Sequence, residues 1–419
     1  MKKLVLSIFA LLLAASPLMA EIDREHPGYP EWTWDTLQVG LHFSKRQNFT
    51  AEELKFLSRF PLFCVEKHQG ISNYGDVRRG AYEVKKQIKK YNPKAKILFY
   101  WNSRIDTGKN YFGANVLDKT HPEWALKDDV GALILTRGSQ KNWDTRIPEL
   151  RSWWVSIPET AVKKGGMDGT FIDAVQQHLS TKQGKNFSAK SAEDVKEGLT
   201  LMLAELREKV GHDKIILYNN MNAGKDHGTG LSQYADGGMI EHYCDRPSYT
   251  PESLIEQIEA VQEAGRQGRI IMPKTWPRYD YRKPEGFAGL TSSTIYSHCK
   301  EDINYALSCF LIGAGKYAYF CYSYGYSEKH GNYFDYPEYH YPLGEPEGEA
   351  VRDGFKFTRK FKYADVYLDV QTREHKITWH RKNEFKQSDL SMPENTFESK
   401  RSSGNNNEQR KANRKAKNN

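Results

Sequence analysis

The chain has 419 residues, a formal net charge of +8 and 13% aromatic residues. The excess charge belongs to its ends: residues 1–20 add two lysines, and from Arg381 onward ten Lys/Arg face five Asp/Glu, so the body between is almost neutral. A near-neutral body lacks the basic stripe that a nucleic-acid-binding domain carries on its folded surface, and no nucleic-acid partner is expected.

Residues 1–20 read as a cleavable export signal. Lys2 and Lys3 lead an apolar stretch from Leu4 to Ala15, and Ala20 supplies the small residue at the cut. The stretch is too short to remain as a membrane anchor. The expected product is exported, periplasmic or extracellular, with no stable membrane anchor.

From residue 21 to 380 eight short apolar runs follow one another: Leu37–Phe43, Phe63–Glu66, Ile97–Trp101, Thr170–Asp173, Ile215–Tyr218, Gly238–Glu241, Ile270–Met272 and Tyr317–Tyr322. Helix signals separate nearly all of them. Thr50 with Glu53 three residues on forms a capping box; a basic amphipathic stretch runs from Arg79 to Tyr91; further helices are expected from Pro148, over Ser191–Val210, from Thr250-Pro251 to about Gly265, and over Glu301–Ile312. Only Leu231–Ala235 separates strands five and six. Fully apolar strands alternating with amphipathic helices are what a parallel sheet covered by helices requires, so the predicted fold is an α/β, (β/α)8 TIM barrel. A last helix over Glu347–Thr358 and a short C-terminal β-hairpin, Val366–Asp369 with Lys376–Trp379, are expected to close it. The Lys/Arg/Asn-rich segment 381–419 has too few apolar residues to order itself and reads as a disordered basic tail.

In a barrel of this kind the chemistry sits where the strands end. Strand four ends on Asp173 and strand six on Glu241, each directly after an apolar run where an acid needs a reason. One strand lies between them, so the two carboxylates can face each other across the barrel mouth. An opposed pair, one acting as acid and one as nucleophile or base, is what glycoside hydrolysis requires. Around them Trp101, Tyr218, Trp276 and Tyr322, with Tyr100 and Tyr324, offer flat faces for a sugar, while His42, Asn102, Arg104, Asn219 and Lys274 can hydrogen-bond hydroxyls or an anionic substituent. Asp144, on the long third loop, serves equally well as a substrate contact or as a partner for Arg104 or Arg146. Glu66 and Asp106 are reserve carboxylates.

Other chemistries lack their residues. Strand one offers His42 without an H-x-H, and the chain has no H-E-x-x-H, phosphate loop, G-x-S-x-G elbow or Gly-rich dinucleotide turn, so neither a metal nor a cofactor is expected. Of the five cysteines, Cys64 and Cys321 fall inside predicted strands, where a thiol packs as a small hydrophobe.

The strings Phe99-Tyr100-Trp101-Asn102, Trp143-Asp144 with Arg151-Ser152-Trp153-Trp154, Gly169 to Asp173, Leu217-Tyr218-Asn219, Ile240-Glu241-His242, Lys274-Thr275-Trp276-Pro277 and Tyr319-Phe320-Cys321-Tyr322 together resemble a group of exported bacterial barrel proteins classed as hypothetical glycoside hydrolases. The resemblance spans nearly the whole body and implies a glycosidase-like domain acting on polysaccharide. Barrel families that cleave α-glycosides place nucleophile and acid at the ends of strands four and six, and Asp173 and Glu241 hold the like positions here; that analogy is one of fold position. Two rival readings are a non-catalytic carbohydrate-binding barrel and a polysaccharide lyase with Lys274 or a tyrosine as base.

Overall fold

The computed structural model describes residues 26–106, 116–178, 186–220, 231–277, 290–326 and 334–384. The expected export signal and the tail beyond residue 384 lie outside the described residues. Eight parallel strands form the sheet: β1 (Gly40–Phe43), β2 (Leu62–Val65), β3 (Lys96–Asn102), β4 (Gly169–Asp173), β5 (Ile215–Asn219), β6 (Gly237–Glu241), β7 (Ile270–Thr275) and β8 (Cys321–Tyr322), in sequential order. A parallel bridge between Val39 and Phe320, with Phe320 N donating to Gln38 O at 2.8 Å, joins β8 to the start of β1 and closes the ring. The expected (β/α)8 barrel is the observed fold.

Among the described residues, six helices of seven residues or more pack outside. They are α1 (Ala51–Leu57), α2 (Val77–Tyr91), α3 (Pro148–Lys163), α4 (Ala189–Val210), α5 (Pro251–Arg266) and α6 (Ser292–Gly313). The capping box at Thr50 forms as read: Glu53 N donates to Thr50 Oγ1 at 3.2 Å and Thr50 N to Glu53 Oε2 at 2.7 Å. Helix α6 begins nine residues earlier than its apolar stretch suggests, because Thr291 caps it by accepting from Thr294 N.

Two expectations at the C-terminal side are corrected. The segment expected as helix over Glu347–Thr358 is instead part of an antiparallel sheet of β9 (Val351–Asp353), β10 (Lys356–Phe361), β11 (Ala364–Asp369) and β12 (His375–Trp379), so four strands replace the predicted hairpin. The reason is period two: Phe357, Arg359 and Phe361 are buried while Lys356, Thr358 and Lys360 are exposed, and Gly354 turns the chain with φ of 58°. Strand eight is shorter than Tyr317–Tyr322, since Tyr317 has a φ of 65° and the regular ladder begins at Cys321.

The entry segment covers the N-terminal end of the barrel. Tyr29 packs edge-on against Tyr317 and donates to Asp236 O at 3.0 Å, and Trp32 packs against Tyr319. The C-terminal strand ends face the other way. On the third connection Trp124 and Trp143 anchor against Trp153 of α3, at 5.8 and 5.4 Å between ring centres. All five cysteines are buried and unbonded to one another.

Candidate active site

Strands β4 and β6 repeat one local design. On each, four buried residues precede a terminal acid that is only partly buried, Asp173 and Glu241. The next residue then takes a left-handed backbone, Ala174 with φ of 66° and His242 with φ of 62°; Asn220, after Asn219 of β5, has φ of 55°. A non-glycine residue rarely adopts this region, and such strain concentrates at functional sites. The turn lets Ala174 N donate back to Asp173 Oδ1 at 2.8 Å.

The two acids share a donor. Asn219 Nδ2 lies 2.8 Å from Asp173 Oδ1 and 3.2 Å from Glu241 Oε2. Those two oxygens are therefore no more than about 6 Å apart, below the inverting range of about 6.5–9.5 Å. Asn102, paired with Asp173 in register, donates to Asp173 Oδ2 at 3.1 Å, and Tyr100 donates its hydroxyl to the same oxygen. Tyr326 donates to Glu241 Oε1 at 2.6 Å. Burial pushes the Glu241 carboxyl up, but the donors Tyr326 and Asn219, with His242 and Lys274 nearby, outweigh it and hold the acid below its ordinary range.

Beneath the pair lies a second charged layer. His42 on β1, almost fully buried, shares a hydrogen bond of 2.8 Å between its Nε2 and Glu66 Oε2, and Lys67 Nζ bonds the other oxygen of Glu66. Burial works to raise Glu66, yet the Lys67 charge and the His42 hydrogen bond bring it down to about 2. Lys274 on β7 is fully enclosed: Nζ donates to Ser323 Oγ at 2.7 Å and Ser323 O at 3.2 Å, and it sits 4.9 Å from the Tyr326 ring centre. Enclosure pulls its pKa down.

At the rim, Trp276 stands 4.5 Å from the His242 ring, and Asp245 ties both in place, accepting from Trp276 N at 2.8 Å and pairing with His242 Nδ1 at 3.3 Å. A cavity of about 1170 Å³ reaches Glu241 from the α5 side, lined by Gln176, Asn220, His242, Arg246 and Tyr249. It touches Glu241 and not Asp173, so it is a lateral approach and does not hold the whole centre.

Of the residues singled out in the sequence, the structure brings together His42, Asn102, Asp173, Asn219, Glu241, Lys274 and Trp276. Five others stand elsewhere. Trp101 turns outward against Trp153 and Trp154, because its neighbours Tyr100 and Asn102 occupy the inner face of β3. Tyr322 donates to Cys299 O on α6 at 2.8 Å, and Tyr218 is on the opposite face of β5 from Asn219, so neither lines the mouth as expected. Arg104 holds the third loop through Thr136 Oγ1 at 3.2 Å and the Gln177 carbonyl. Asp144 pairs with Arg146 through Nε at 2.8 Å and Nη2 at 2.7 Å, the structural option of the two open to it.

The sequence reading missed Tyr326, Lys67 and Asp245. Glu66-Lys67 had a signal, a charged pair directly after the apolar run of β2, in the place that Asp173 holds on β4. Tyr326 had none, since it lies in an irregular loop after β8.

A closed parallel barrel with acids gathered at the C-terminal strand ends is the architecture of barrel enzymes. By sequence, residues 89–365 match the family described as Hypothetical glycosyl hydrolase family 15, and the chain belongs to that family. The match begins within α2, so β1 and β2, with His42, Glu66 and Lys67, lie outside it. No curated protein matches the chain.

Among solved structures the chain is similar to a variant of the glycoside hydrolase domain of PelA from Pseudomonas aeruginosa (14% identity, TM-score 0.42, 68% of this chain and 94% of that one). It is also similar to the maltogenic alpha-amylase AmyB from Thermotoga neapolitana (13%, 0.44, 80% and 85%) and to Aspergillus fumigatus Ega3 in complex with galactosamine (12%, 0.39, 70% and 94%). Likeness at this level says nothing of substrate or of individual residues. Among the described residues no helix is long and apolar enough to cross a membrane.

Proposed function

We propose that the protein is an exported glycoside hydrolase acting on a polysaccharide or oligosaccharide, with Asp173 as nucleophile and Glu241 as acid and then base, and with retention at the anomeric carbon. The observation that carries this reading is the Asn219 amide bridging Asp173 and Glu241, which keeps their facing oxygens within about 6 Å, a spacing nearer to direct attack by one acid than to one that admits a water between them.

The surroundings fit those roles. Asp173 receives Tyr100, Asn102, Asn219 and Ala174 N, donors that hold its two oxygens in place for attack on the anomeric carbon. Glu241 is held ionised without ligand, the form needed as base in the second step. To act as acid it must take up a proton as the leaving oxygen displaces Tyr326 or Asn219. The short carboxyl separation supports a catalytic pair over a binding-only barrel. Enclosure of Lys274 by Ser323 and Tyr326 argues against that lysine as a lyase base.

The test is product release from neutral, sulfated and uronic polysaccharides by the protein and its Asp173→Asn and Glu241→Gln variants. Each substitution is expected to reduce release by at least about a thousandfold with folding retained, and NMR of the first-formed product is expected to show the substrate's own anomer. Release retained by Asp173→Asn would overturn the assignment.

A further inference from the structure

One cation close to both carboxylates has no part in the scheme above. Lys67 follows β2 directly, and its Nζ lies 4.8 Å from the ring centre of Tyr100 and 6.0 Å from that of Tyr326. These are the two tyrosines whose hydroxyls donate to Asp173 and to Glu241. The ion pair that holds Lys67 is asymmetric: the Glu66 side chain is 1% exposed and the Lys67 side chain 32%. Glu66 is clamped from behind by His42, so the acid is an anchor and the base faces outward.

An ammonium carries three donors. Among the described residues Glu66 is the one hydrogen-bond acceptor of Lys67. Lys274, by contrast, is fully enclosed, with Ser323 taking its protons. Burial works to discharge Lys67, but Glu66, Asp173 and Glu241 together outweigh it and keep it an ammonium.

We propose that Lys67 is a substrate-contacting residue: anchored by buried Glu66 above the Tyr100 ring, its ammonium donates to an oxygen of the sugar held between Asp173 and Glu241. The inference rests on the glycosidase reading and adds a contact from β2, a strand outside the family match.

The experiment uses 4-nitrophenyl α- and β-glycosides of glucose, galactose and mannose, together with the polysaccharides above, and the variants Lys67→Met, Lys67→Arg and Glu66→Gln with Lys67→Met. A hydrogen bond from a charged donor corresponds to about 10- to 100-fold in kcat/KM, and that loss is expected for Lys67→Met, with partial recovery in Lys67→Arg. The double variant leaves no orphaned acid; it is expected to fold, as judged by its melting temperature, and to stay as impaired as Lys67→Met. Unchanged kcat/KM in either folded variant overturns the Lys67 contact and leaves the glycosidase reading standing. If the unaltered protein cleaves none of these substrates, the glycosidase reading falls and the contact with it.

Discussion

Tyr326 is the largest influence that favours the ionised form of Glu241. Its hydroxyl, 2.6 Å from Glu241 Oε1, favours the ionised form. Tyr326→Phe removes that donor, so the Glu241 pKa rises, and the high-pH limb of kcat/KM, where the acid must still be protonated, is expected to move to higher pH. A pH profile with an unmoved limb would refute the link. Glu66 gives a second prediction, on stability. Its folded pKa of about 2 lies below the ordinary 4.5, so its contribution is complete above pH 4.5 and is lost as pH falls through about 2. Glu66→Gln is expected to be less stable by about 3 kcal/mol at pH 7. In urea denaturation the deficit should shrink as pH falls from 4.5 toward 2; a pH-independent deficit would mean that packing, not charge, is at work.

At the scale of elements, each functional strand ends in a turn that the sequence does not make easy. Ala174 in the left-handed region costs roughly 1–2 kcal/mol relative to a residue free to adopt it. Ala174→Gly relieves that strain and is expected to stabilise the fold by about 0.5–1 kcal/mol after the larger entropy of the unfolded glycine chain is counted. Turnover is expected to fall several-fold, because the Ala174 N–H fixes Asp173 Oδ1 less firmly on a looser turn. Denaturation and kcat measured on the same preparation check both signs. Strand identity was legible because apolar runs of three to seven residues alternated with helix signals. Face was not: Trp101 and Tyr322 were placed at the mouth, and both turned outward. A run apolar on both faces carries no alternation to say which side is inner, so register with the neighbouring strands decides it.

Across the whole molecule, the C-terminal sheet is tied to the barrel through Arg359. Its guanidinium, buried and lowered to about 10 by that burial, reaches Leu311 O at 2.8 Å and Ala314 O at 2.5 Å at the C-terminus of α6. A cation there satisfies carbonyls that the helix leaves without partners. Arg359→Met is expected to cost about 2–3 kcal/mol. Circular dichroism and tryptophan fluorescence should trace one coincident transition in the unaltered protein. Two separate transitions would make the sheet an independent unit.

The sequence by itself determined the barrel and the two acids. Strand and helix periodicity is local, and an acid closing an apolar run stands out wherever that run goes. Only the tertiary structure decided the environment of those acids. Tyr326 comes from an irregular loop and Lys67 from the turn after β2, and nothing in their local sequence tells which strand ends meet. Closing eight strands into a ring places residues 85 positions apart, Glu241 and Tyr326, within a hydrogen bond. The charge state of Glu241 is then set by neighbours that only the closed barrel supplies.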